Sequence, residues 1–301
     1  MYQFRYGTEL LNLCQQYELD IYELMLRCEI EESGSSQQEI WDLMQANLQV
    51  MQDSVIKGLD PDLKSVGGLV GGNASKLLSR SEEDNLGGKT MLKVIAYALA
   101  VSEFNAAMGK IVAAPTAGSS GILPGTLIAL QEDKNYSQED VVKAIFVAAA
   151  LGKIIATNAT LSGAEGGCQA ECGSAAAMTA AAATYLAGGS PQMSLDAGAI
   201  ALKGLLGLVC DPVAGLVEVP CSKRNATAAA SALASADMAL AGVKSYLPFD
   251  EVVDAMYRIG KIMSADLRET AAGGCAITPT ALRYVEQTLV SENVNKEIDT
   301  D

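Results

Sequence analysis

The chain has 301 residues, and 21 Lys and Arg against 36 Asp and Glu leave it a formal charge of −15. That balance excludes the basic face a nucleic-acid binder needs to neutralise phosphate. Histidine is absent, which excludes Ser-His and Cys-His pairs, imidazole acid–base chemistry and every His-containing metal site.

The predicted elements begin with helices. Leu10, Leu11, Leu13, Cys14 and Tyr17 recur at helical spacing, as do Ile40, Leu43, Met44, Leu48 and Met51 behind a capping candidate at Ser36. Another helical stretch between them ends at Gly34. Residues 1–66 carry twelve acidic and four basic side chains, whereas 141–235 carry five of each. The acidic excess therefore belongs to a solvated periphery around a buried centre. Gly67, Gly68, Gly71 and Gly72 break any regular element in SVGGLVGGNASKLL.

Helical pattern resumes near Lys89 and runs to about Gly109, before the loop AAPTAGSSGILPG, which is crowded with turn formers and hydroxyls. Helices are predicted over 126–132, 138–156, 172–187, 193–208, 224–242, 249–264 and 278–290. Strand signal is weak throughout, and no tandem repeat is present. The uncharged stretches 111–131 and 172–195 are broken by Pro, Gly and Ser or built of Ala, Thr, Ser and Gly. They read as buried interior, not as membrane spans. Half the residues are hydrophobic but only 5% aromatic, so the core is one of small side chains packed close together. The expectation is one mainly α, all-helical, Ala/Gly-rich domain over 1–301. Its parts are an acidic helical portion over 1–66, a core over 67–290 that holds the functional cysteines, and an acidic, frayed tail over 291–301.

Cysteine carries the chemistry. The count of seven is odd, and MYQFRYGTELLNL lacks the regions of an export signal, so a reducing cytoplasm is expected. Cys14 and Cys28 read as buried small hydrophobes. Cys168, Cys210 and Cys221 instead sit beside Gly or Pro at element ends, where side chains can converge. A zinc site without histidine would want four cysteines and a C-x₂-C pair, which is missing. Three thiolates suit a 4Fe–4S cluster with one iron left open to act as a Lewis acid. The C-x₄₁-C-x₁₀-C spacing is not a local ferredoxin motif.

Four blocks, AAPTAGSSGILPG, NATLSGAEGGCQAECG, GLVCDPVAGLVEVPCSKRNA and ETAAGGCA, together resemble the alpha subunit of the iron–sulfur-dependent L-serine dehydratases, over nearly the whole chain. The resemblance implies an all-helical catalytic domain, a 4Fe–4S cluster on Cys168, Cys210 and Cys221, and conversion of L-serine to pyruvate and ammonia. Single-chain members carry a second domain ahead of this one, which implies a separate beta chain as partner here. Cys172 and Cys275 fall in matching blocks without being recognised ligands. The cysteine that ends some single-chain members, and caps the open iron there, is missing from this tail.

Lys223, Glu165 and Glu171 stand beside cluster cysteines as candidates for the base that removes the α-proton, and a residue of the partner chain is an equal alternative. For the two glutamates the other reading is hydrogen bonding that orients the ligands. Arg224 suits bidentate recognition of the substrate carboxylate, or a salt bridge. Asn225 suits a helix cap or a substrate contact. Thr116, Ser119 and Ser120 offer a nest for the substrate carboxylate, without the lysine of a phosphate loop. The rivals are an L-cysteine desulfidase on the same cluster domain and a non-catalytic iron–sulfur redox sensor with Cys172 or Cys275 as fourth ligand. A zinc-stapled structural subunit comes last.

Overall fold

A computed structural model describes residues 1–298; the last three positions of the expected tail, 299–301, lie outside the described residues. Three helices form the N-terminal part: α1 (Gly7–Tyr17), α2 (Ile21–Ser33) and α3 (Gln37–Gly58). Ser36 accepts from Glu39 N at 3.3 Å while the Glu39 carboxylate takes the Ser36 N–H at 2.8 Å, a reciprocal cap that fixes where α3 starts. Gly34 ends α2 in the left-handed region, with φ of 70°.

The remaining helices are α4 (Asn73–Ser81), α5 (Lys89–Ala106), α6 (Ile122–Lys134), α7 (Gln138–Asn158), α8 (Gly163–Gly166), α9 (Ser174–Leu186), α10 (Pro191–Gly204), α11 (Cys221–Leu240), α12 (Phe249–Ile262) and α13 (Pro279–Ile298). No strand occurs among the described residues; a single bridge pairs Cys210 with Arg268. The all-helical class expected from the sequence is the class observed, and none of the described helices is long and apolar enough to cross a membrane.

Helix α9, SAAAMTAAAATYL, is buried at every position except Tyr185. A helix apolar on all faces belongs inside other helices, and α6, α7, α10 and α11 surround it. Helix α5 is a second hub, packed on α3, α4, α6 and α11. The helices approach until backbones touch: a Cβ on Gly125 of α6 would stand 2.4 Å from Ala98 N and 2.7 Å from Ala98 Cα on α5.

Some element bounds differ from the sequence expectation for identifiable reasons. Helix α4 forms where the glycines promised only a break. Its N-terminus is capped by a distant residue, as the buried Glu103 of α5 accepts from Asn73 N at 3.0 Å and from Asn73 Nδ2 at 2.5 Å. Helix α6 begins four residues early because Pro124 falls in its first turn, where a missing N–H costs nothing. Helix α11 begins at Cys221, not at residue 224, and helix α13 continues through Ile298.

Gly125→Ala is expected to cost about 1–3 kcal/mol, since the new methyl meets backbone and not a flexible side-chain end. Gly204→Ala, whose methyl would find only Ser231 Oγ at 3.8 Å, is expected to stabilise by about 0.4–1 kcal/mol. Denaturant unfolding of the two variants checks the pair.

Candidate metal centre

The segments carrying Cys168, Cys210 and Cys221 meet at the ends of α9 and α11. After α8 the chain turns through Gly167, at φ of 76°, and then winds through a π-turn over Gln169–Gly173 that runs into α9. Such widened turns put side chains where an α-helix would not. Gln169, fully buried, pins the turn: its Nε2 donates to Met256 O at 3.1 Å, and its Oε1 accepts from Gly207 N at 2.9 Å. Cys210 is held by its backbone, with its N–H donating to Leu267 O at 2.8 Å and its carbonyl accepting from Glu269 N at 2.7 Å. Cys221 is the first residue of α11. All three cysteines are buried.

Ligand atoms of Cys168, Glu171 and Cys210 lie within 4.8 Å of one another, a group that can hold a metal ion. Cys172 Sγ is 4.0 Å from Cys168 Sγ, and Cys210 Sγ is 3.9 Å from Glu171 Oε2. Hydrogen bonds from the Cys172 and Cys210 thiols, helped by the Arg224 charge, push the Cys168 pKa down to about 3. Those same bonds hold Cys172 and Cys210 protonated, with raised pKa values. Burial first, and then the Cys168 charge, pushes Cys221 up to about 12. Burial likewise lifts Glu171 to about 7, against the hydrogen bond it receives from Thr116.

The site has room. A Cβ on Gly163 would stand 2.5 Å from Glu171 Oε2 and 3.2 Å from Cys210 Sγ, so only glycine leaves that space beside the thiols. Around it, Thr116 Oγ1 donates to Glu171 Oε1 at 2.7 Å and lies 3.1 Å from Ser119 Oγ. Ser120 Oγ donates to Ala117 O at 2.8 Å inside the same turn. The hydroxyl loop is thus joined directly to the cysteine turn.

The other expected site residues fall into two sets. Lys223 and Glu165 are exposed and stand outside this group; the Glu165 carbonyl accepts from Arg268 at 3.4 Å. Arg224 and Asn225 are brought in. The Arg224 guanidinium forms an ion pair with Asp211 Oδ1 at 2.7 Å and donates to Val209 O at 2.7 Å. Asn225 lies inside α11 and does not cap it. Its Nδ2 donates to Gly118 O at 2.7 Å and to Cys221 O at 2.9 Å, while its Oδ1 accepts from Gly121 N at 2.9 Å. Its amide therefore clamps the hydroxyl loop to the first turn of α11.

Two acids were missed by sequence reasoning. Asp211, buried, also accepts from Cys275 N at 2.6 Å. Glu218, buried, accepts from Ser65 Oγ at 2.6 Å, Gly67 N at 2.6 Å and Leu69 N at 3.0 Å, which seats the glycine-rich loop against the segment leading to Cys221. Their signal was an acidic residue standing in an otherwise apolar run, within two residues of a Pro and three of a cysteine.

Residues 16–276, a span that includes the whole centre, match the serine dehydratase alpha chain family. The chain belongs to that family. It is 50% identical over 279 residues to the probable L-serine dehydratase alpha chain of Bacillus subtilis, with 92% of each chain covered. It is 43% identical over 275 residues to the L-serine dehydratase alpha chain of Peptoniphilus asaccharolyticus, covering 91% of this chain and 94% of that one. Against L-serine dehydratase 1 of Escherichia coli it is 38% identical over 283 residues, covering 92% of this chain and 62% of the relative. As a serine dehydratase alpha chain family member it carries its converging cysteines wholly within the matched span.

Asn225→Ala leaves Gly118 O and Gly121 N without their partner. The expected cost is about 1–3 kcal/mol, together with faster amide hydrogen exchange at Gly121; unfolding curves and exchange mass spectrometry measure both.

Proposed function

We propose that this chain is the catalytic alpha chain of an iron–sulfur L-serine ammonia-lyase, forming pyruvate and ammonia in the cytoplasm together with a beta chain. One observation carries the reading: Cys168, Cys210 and Glu171 converge in a buried group within a chain of the serine dehydratase alpha chain family. Relatives named L-serine dehydratase, alpha chain, support both the substrate and a partner subunit.

The donor set fits a 4Fe–4S cluster. Cys168, Cys210 and Cys221 are buried sulfur ligands, no histidine competes, the Arg224 charge offsets thiolate charge, and Gly163 leaves space beside Cys210. When bound, the cluster supplies an iron with one open position, a Lewis acid that eases departure of the serine hydroxyl without pyridoxal phosphate.

The remaining work falls to side chains. Thr116, Ser119 and Ser120 line the turn that leads into α6, and they receive the substrate carboxylate there. The base that removes the α-proton is Glu171, half-buried and tied to the hydroxyl loop through Thr116. Lys223 and Glu165, named from the sequence for that role, lie exposed to solvent. Removal of the α-proton and loss of the β-hydroxyl as water leave aminoacrylate, which tautomerises to an imine and hydrolyses to pyruvate and ammonia.

Anaerobic reconstitution with the beta chain tests this. About four irons per alpha chain, a serine-dependent change in the cluster spectrum and pyruvate release are expected. Ser at Cys168, Cys210 or Cys221 is expected to abolish the cluster, and Cys14→Ser to leave it in place. Air should stop turnover, and ferrous iron with thiol should restore it. Activity that survives complete iron removal rejects the mechanism, and sulfide from L-cysteine in place of pyruvate from L-serine makes the chain a desulfidase.

A further inference from the structure

Arg224 lies one helical turn beyond Cys221, and its guanidinium grips both residues that flank Cys210. It donates to the Val209 carbonyl at 2.7 Å and pairs with the Asp211 carboxylate at 2.7 Å. Its charge also bears on Cys168. A single side chain therefore reaches all three cysteine segments.

The chain between Cys210 and Cys221 is pinched by a backbone bond from Val213 N to Val219 O at 2.9 Å, and the Arg224 contacts tie its two ends outside that bond. It runs from Asp211 to Pro220 through a short 3-10 turn at Val213–Gly215, with Ala214 and Gly215 at φ of 54° and 72° and Ala214 and Gly215 open to solvent. Asp211 extends the tie, because its second oxygen holds Cys275 N at 2.6 Å, where Gly274 leaves the space that a Cβ 2.2 Å from Oδ2 would fill. Both partners are largely withdrawn from water, with side chains 16% and 3% exposed. Each charge therefore needs the other.

We propose that Arg224 is a positioning residue, which sets Cys210 at its distance from Cys221 and leaves the substrate carboxylate to other groups. The inference rests on the reading that both cysteines hold the cluster. Both contacts are made by one guanidinium nitrogen, Nη1, so a lysine ammonium on its shorter and more flexible stem keeps part of the tie but not its full hold.

The test compares wild type with Arg224→Lys, Arg224→Gln and the double variant Arg224→Gln, Asp211→Asn, each with the beta chain. The double variant removes the unpaired buried carboxylate that could unfold Arg224→Gln. Amide hydrogen exchange over 209–211 is read first on iron-free protein, then iron and sulfide content, the cluster spectrum, and kcat and KM for L-serine after reconstitution. Exchange at Cys210 N is expected to quicken about tenfold in both glutamine variants. Iron content and kcat should fall together, Arg224→Lys should lie between, and KM for the remaining active fraction should stay within about threefold. Full iron, wild-type exchange and a KM raised about tenfold or more would make Arg224 a carboxylate-binding residue and overturn the proposal. Faster exchange in variants of a wild type that takes up no iron would uphold the tie on Cys210 and defeat the cluster reading instead.

Discussion

Alanine has nothing beyond Cβ, and the placement of Cys168 and Cys221 in the centre follows from that. Because α9 carries alanine on most of its surface, four helices can close around it, and backbones elsewhere approach to the limit that glycine allows, as at Gly125 and Ala98. Helices packed that closely bring their ends into register. The π-turn that opens α9 and the first turn of α11 thus arrive side by side, and Cys168, Glu171 and Cys221 are delivered by the core and not by a long loop. Only Cys210 comes from a segment without a helix of its own, and it is the one held by a bridge to Arg268 and by the ion pair of its neighbour.

A core of small apolar side chains does little for a charge, so each acid near the centre carries its own solvation. Glu218 takes two backbone N–H groups and a hydroxyl, Asp211 takes a guanidinium and a backbone N–H, and Glu171 takes a hydroxyl and a thiol. Acids engaged in this way fix the segments that supply their donors. The glycine-rich loop at 65–72, the turn at 273–277 and the hydroxyl loop at 116–121 are anchored by one of these carboxylates each. Burial lifts Glu171 toward neutrality, against the hydrogen bonds from Thr116 and Cys210.

How much of this was legible depended on range. Apolar spacing and the Ser36 cap are local, and they located α3 correctly. The four motif blocks carried the cysteines and the hydroxyl loop because residue type and immediate neighbours mark both. Helix α4 was hidden because its cap, Glu103, lies thirty residues further along the chain. The role of Asn225 was hidden for the same reason: a caps-or-substrate reading considers nearby backbone, whereas its amide bonds span 104 and 107 residues. Lys223 and Glu165 were weighed on nearness to a cysteine in sequence, but at about 100° per residue Lys223, two positions along α11 from Cys221, points away from it, and the Gly167 turn separates Glu165 from Cys168. Nearness along the chain put them beside a cysteine in sequence and on the outside of the molecule.

That same angular separation makes the first turn of α11 a joint. Arg224 and Asn225 are consecutive, so they leave the helix in different directions, one toward the Cys210 segment and the other toward the hydroxyl loop. Cys221 begins the turn and its carbonyl accepts from Asn225. A shift of α11 against α9 would therefore move a cysteine, a cation and the loop as one body, while Cys168 and Glu171 moved with the other helix. The alanine packing between α9 and α11 opposes such a shift, because side chains this short have no rotamers with which to absorb it. A rigid core is thus a requirement of a centre divided between two helix ends.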